Sequence, residues 1–220
     1  MRLLWIALLL APAIAVAKPP CDRCVLEIPA KHDDPLPIVV VLHGDRESAT
    51  AAGSRWHAAV AKRGWVLLSL QCPTDQGCKD SWWKWDGEPS WVIEQVAKVG
   101  KLVALDPKQQ YLVGWSGGAS WMGWRAQDWI GTFAAIVIHG GGIAPRSDTC
   151  PADPLPVYFL VGDQNPLHRH AQELRSWFDG CKQAVVWDLV KGGDHGKEDA
   201  ALDGKRAQQI LEWLDHSHHK

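Results

Sequence analysis

Six short runs of the chain are almost continuously apolar: residues 37–42 (PIVVVL), 65–70, 110–115, 133–139, 156–161 and 184–190. A strand with one wet face alternates apolar and polar side chains. Runs without that alternation must be covered on both faces, as in a parallel sheet sandwiched between helices. The intervening segments supply the cover. Residues 48–62 are alanine-rich with helical spacing and are closed by Gly64, and Pro89 opens a helix through Val99. Further helices are predicted over residues 117 to about 128, 167–179 and 199–214. The expected class is α/β, with a mostly parallel central sheet and helices on both faces. Only a short loop separates the runs at 133–139 and 156–161, so no lid domain is expected there.

The first 17 residues read as a signal peptide. Arg2 supplies the positive region, Leu3 to Leu10 the apolar one, and Ala15-Val16-Ala17 a small-residue cleavage site. The apolar run is too short to span a bilayer, so no membrane association is expected after cleavage. Residues 18–220 are expected to form a single domain, secreted or periplasmic. All six cysteines follow the cleavage site. In an exported chain that even number suggests disulfides; proximity would pair Cys21–Cys24, Cys72–Cys78 and Cys150–Cys181, but six cysteines allow fifteen connectivities and sequence does not choose among them. Cys21-Asp-Arg-Cys24 has no second C-x-x-C to complete a zinc site. The formal net charge of −2 gives no electrostatic reason to bind nucleic acid.

Residues 110–126 (QYLVGWSGGASWMGWRA) put a strand, a tight GWSGG turn and a helix in succession. A serine on such a strand-to-helix corner is forced into strained backbone that lifts its hydroxyl above the sheet, and Gly114 and Gly118 make room for the turn. Amides at the helix start then face a developing oxyanion. An acyl-accepting serine needs a base to take its proton and an acid to orient the base, in the chain order serine, acid, histidine. His195, in Gly-Gly-Asp-His-Gly, stands between the last strand and the last helix. The acid belongs just after the run ending at Val161, in Gly162-Asp163-Gln164-Asn165-Pro166, where Asp163 is the only carboxylate.

GWSGG, His43-Gly44 after the first run, GDQNP and GGDH together resemble the α/β-hydrolase superfamily. More narrowly, they are similar to small secreted esterases of the polyhydroxybutyrate depolymerase and feruloyl esterase type. The likeness covers about residues 35–215. In that group the turn reads G-x-x-D-P, which implies an acid at position 165, where this chain has Asn165. Asp163 is therefore favoured as the acid, with Asn165 acting as a neutral acceptor as the alternative and Asp194 as a third candidate. The resemblance and the geometry of an elbow both place oxyanion donors at the N–H groups of Gly117 and Asp45, with His43 pinning the Asp45 loop.

Tryptophan is unusually frequent, with 14 in 220 residues. Trp121, Trp124 and Trp129 have the spacing of core positions on a helix. Trp83 and Trp85, in the polar-interrupted stretch SWWKWD, and Trp115 beside the nucleophile are candidates to bind substrate; the same loop could instead be a hydrophobic plug stapled by Cys72–Cys78. The leading function is an exported serine carboxylesterase acting on small acyl, hydroxyacyl or aromatic-acyl esters, small or polymeric, without metal or cofactor. The competing readings are a non-catalytic glycan- or polymer-binding module of the same fold and a small secreted serine peptidase.

Overall fold

A computed structural model describes residues 14–32, 35–83 and 88–217. Its centre is an eight-stranded sheet of β1 (Ile14–Val16), β2 (Val25–Pro29), β3 (Leu36–Leu42), β4 (Val66–Leu70), β5 (Leu105–Trp115), β6 (Ala135–His139), β7 (Val157–Gly162) and β8 (Val185–Val190). The strands lie in the order β1-β2-β4-β3-β5-β6-β7-β8. β1 and β2, and β2 and β4, pair antiparallel; every other pair is parallel.

The apolar runs have two faces to fill. Along β3, Ile38, Val40 and Leu42 enter one core, while Val39 and Val41 enter the other. Helices α1 (Ala49–Arg63) and α6 (Gly204–Ser217) cover the second face, with Trp56, Val60, Ile210 and Leu214 buried there. On the first face lie α2 (Ser90–Val99), α3 (Gly117–Trp124) and α4 (His168–Gly180), which contribute Val92, Val96, Met122, Leu174 and Phe178. Ser48 caps α1 by accepting from the Ala51 amide at 3.2 Å, and Gly64 ends the helix at a φ of 68°.

Four features depart from the sequence expectations. Two antiparallel strands precede the first expected one, and β1 lies within the segment read as a signal peptide. Each is too short to show a period. β5 begins at Leu105 rather than at residue 110, because its first five residues (LDPKQ) carry no apolar pattern and pair with β3 only at Leu36. Helix α3 stops at Trp124, and a 3-10 turn at Ala126–Trp129 follows. The single helix expected over residues 199–214 is two, α5 (His195–Ala201) and α6. The earlier start of α5 arises because Asp194 caps it, accepting from the Lys197 amide at 2.8 Å.

The chain leaves β3 towards β4 on one side, whereas β5, β6, β7 and β8 build outwards on the other. The crevice above the carboxyl ends of β3 and β5 is thus the point where strand order reverses, the place where open α/β sheets bind ligands. Between β6 and β7 the chain runs from Gly140 to Pro156 without a helix or strand. No lid domain is inserted there.

Candidate active site

β5 delivers Trp115 to the sheet edge, and α3 starts two residues later at Gly117. Between them Ser116 has φ 51° and ψ −111°, a conformation that costs a non-glycine residue roughly 1–3 kcal/mol and persists only where its surroundings enforce it. The enforcement is close packing. A Cβ on Gly114 would stand 2.8 Å from the Ala119 backbone nitrogen, and one on Gly118 2.8 Å from the Leu42 carbonyl. The Ser116 amide donates to the His139 carbonyl at 2.8 Å, which ties the corner to β6.

His195, the first residue of α5, reaches over this corner and places Nε2 2.9 Å from Ser116 Oγ. The serine and histidine that chain order predicted are thereby brought together across 79 positions. For Nε2 to accept the serine proton, the imidazole must carry its own proton on Nδ1. Two groups face that atom: Glu198 Oε2 at 3.2 Å and Asn165 Nδ2 at 3.1 Å. Only the carboxylate oxygen can accept. The amide is held nitrogen-inward because its Oδ1 accepts from the Leu167 amide at 2.9 Å, and its Nδ2 also faces Glu198 Oε2 and the Gly140 carbonyl.

The expected acid is not brought to the imidazole. Asp163 turns away, and its carboxylate accepts from the Gly192 amide at 2.7 Å near the surface. Asn165 does not present its carbonyl to the imidazole, and Asp194 is occupied in capping α5. Glu198, fully buried, is not among the sequence candidates, because the sequence pattern starts the last helix only at residue 199. The available signal was Asp194 as an N-cap, which starts a helix at His195 and puts residue 198 on the same face.

The loop after β3 is pinned by His43. Its Nδ1 donates to the Gly44 carbonyl at 2.6 Å and its Nε2 accepts from the Cys72 amide at 3.0 Å. Burial lowers the His43 pKa, which suits this neutral form. Beyond it, Asp45 packs its carboxylate against Gly117 and accepts from the Trp83 amide at 3.3 Å. Glu47 accepts from the Gly44 amide at 2.9 Å and pairs with Arg55 at 2.6 Å; Arg55 in turn pairs with Asp199 of α5, also at 2.6 Å. One guanidinium thus links the loop carrying Asp45 to the helix carrying His195. Gly117 opens α3, so its N–H belongs to the first turn, which has no partner within the helix.

A cavity of about 490 Å³ opens beside Ser116 and Gly117, walled by Trp82, Trp83, Trp121, Trp124, Ile143 and Leu167. Trp83 is at once wall and plug: it is 1% exposed, stacks on Trp121 at 5.3 Å and donates its indole N–H to the His43 carbonyl at 2.8 Å. Trp115 does not line the cavity. Its ring lies nearly parallel to that of His195, with centroids 4.5 Å apart. Trp85 lies outside the described residues. Trp121 and Trp129 are buried core residues, as their spacing predicts, whereas Trp124 is only partly buried and lies on the cavity wall.

The three disulfides join Cys21 to Cys24, Cys72 to Cys78 and Cys150 to Cys181, with Cα separations of 5.4, 5.9 and 5.2 Å. Among the described residues, no group of three or more His, Cys, Asp or Glu could hold a metal ion, and no helix is long and apolar enough to cross a membrane.

No protein-family model and no curated protein matches the sequence. The fold, by contrast, recurs among solved structures. A truncated carbohydrate esterase from gut microbiota superposes with a TM-score of 0.71 at 11% identity, over 96% of this chain and 98% of that one. A Staphylococcus aureus fluorophosphonate-binding serine hydrolase gives 0.66 at 10% identity, over 92% and 98%. A ferulic acid esterase gives 0.62 at 13% identity, over 88% and 92%. At these identities the likeness is one of fold, and the fold is that of the α/β-hydrolases.

Proposed function

We propose that the chain is an exported serine carboxylesterase that cleaves small acyl, hydroxyacyl or aromatic-acyl esters through an acyl-enzyme on Ser116. The observation that carries this reading is the 2.9 Å approach of His195 Nε2 to Ser116 Oγ at a strained elbow. A hydroxyl so placed and so paired has no packing purpose, and the pairing is what turns a serine into a nucleophile. The structures that share the fold include a carbohydrate esterase and a ferulic acid esterase, in accord with ester chemistry.

In this reaction Ser116 Oγ bonds to the ester carbonyl carbon as its proton passes to His195 Nε2. The carbonyl π pair moves to oxygen, where the N–H groups of Gly117 and Asp45 receive it. Collapse expels the alcohol, which takes the proton from His195. Water then repeats the sequence on the acyl-enzyme, giving up a proton to His195 and releasing the acid and the serine. The indole walls of the cavity, Trp83 among them, suit flat or aromatic acyl groups on small or polymeric esters. The leader-like first 17 residues and the three disulfides support export of a single domain, residues 18–220, to the periplasm or the medium.

The test is turnover of p-nitrophenyl acetate and butyrate by the mature protein and by Ser116→Ala, with fluorophosphonate labelling of both. Activity and labelling confined to the wild type are expected. Equal rates in the two proteins would sink the serine-hydrolase reading.

A further inference from the structure

On the premise that Ser116 attacks and His195 takes its proton, we propose that Glu198 of α5 is the carboxylate that orients His195, and that Asn165 acts on Glu198. The two positions are interchangeable hosts for the acid. The geometry behind this is a three-way meeting. Position 165, in the turn after β7, and position 198, one helical turn past the histidine, both come within 3.2 Å of His195 Nδ1. Glu198 is fully buried, so protein donors must replace its water. Its Oε1 accepts from the Gly162 amide, and its Oε2 from the Asn165 amide and from His195 Nδ1. Gly162 leaves space for this, since a Cβ there would stand 3.0 Å from Glu198 Cγ.

This arrangement gives a physical reason for the asparagine. An aspartate at 165 facing Glu198 would bring two carboxylates into contact, which could not both stay ionised. An amide in its place donates to the carboxylate and leaves the full charge opposite the imidazole. Position and spacing are rigid, because His195 and Glu198 lie three residues apart on one helix. His139 on β6 and Arg55 on α1, which pairs with Asp199 on α5, lie against the Trp115 ring that stacks on His195.

Three variants test the proposal on a p-nitrophenyl ester. In Glu198→Gln, kcat should fall by roughly 10³-fold or more while KM stays within about threefold, as when a triad loses its acid and the tautomer is no longer held. The swapped pair Asn165→Asp with Glu198→Gln should regain at least about tenfold of that loss, which a merely structural role for residue 198 would not allow. Asp163→Asn, at the surface, should turn over within about threefold of wild type and decides the matter if Glu198→Gln does not fold. Glu198→Gln within tenfold of wild type, a folded swap no better than Glu198→Gln, or a hundredfold loss in Asp163→Asn would each overturn the assignment. Failure of the hydrolase reading itself would show separately, as turnover retained by Ser116→Ala.

Discussion

At Trp115 one indole lies between two imidazoles, the His195 ring parallel at 4.5 Å and the His139 ring tilted at 4.3 Å, with the Arg55 guanidinium 5.4 Å from its centre. The stack restricts the swing of His195 without occupying either of its nitrogens, both of which face hydrogen-bonding partners. Trp115→Leu should therefore lower kcat about ten- to a hundredfold with little change in KM, a loss of alignment rather than of binding. Steady-state kinetics on a p-nitrophenyl ester would check it, and an unchanged kcat would show that the hydrogen bonds alone hold the ring. His43 works one shell further back. Replacing it by Phe strands the Cys72 amide and the Gly44 carbonyl in a buried setting, at roughly 1–3 kcal/mol for each unpaired group. Chemical denaturation should register that loss, and activity should fall with it because the Asp45 loop is no longer pinned.

Among the elements, α5 contributes most to the site. Its first residue faces the serine, its fourth faces that residue from behind, and Asp199 anchors it through Arg55 to the loop after β3. The segment between β6 and β7 is held differently. Cys150–Cys181 ties it to the end of α4, and the Trp177 indole N–H donates to the Ser147 carbonyl at 3.0 Å. This bridge closes 31 positions of sequence, so its loss by Cys150→Ser with Cys181→Ser should cost about 3–4 kcal/mol if the chain-entropy account holds. A drop of about 10 °C in Tm would follow. Activity of the folded fraction should persist, because neither cysteine touches the elbow, α5 or the cavity wall. Calorimetry beside an esterase assay separates the two outcomes, and a parallel loss of kcat would place this segment in the mechanism.

Across the whole molecule, the two most deeply placed histidines set the response to acid. Burial lowers the His139 pKa to about 4, a backbone hydrogen bond to the Glu198 carbonyl opposing it only in part, and burial likewise lowers that of His43. Both are neutral in the folded state and take up protons more readily once unfolded, near 6.5. Their contribution to stability is complete above pH 6.5 and declines as pH falls towards the folded value. For His139 alone this amounts to about 2 kcal/mol between pH 8 and pH 5. Denaturant midpoints across that range should fall accordingly, and His139→Gln should flatten the fall; a midpoint independent of pH would contradict the neutral burial of both rings. The sequence by itself determined the class of fold and where Ser116 and His195 sit. Continuous apolar runs can only be doubly covered strands, a serine between Gly114 and Gly118 must turn sharply, and chain order singles out His195. These are local patterns, and local patterns survive in one dimension. Which acid faces that histidine is not local. Asp163 and Asn165 lie two residues apart in one turn, and side-chain direction sends one to Gly192 and the other to Glu198. That choice follows from how β7 packs against α5, so only the tertiary structure decided it. The same packing brings Trp115, in the sequence a neighbour of Ser116, to rest against His195.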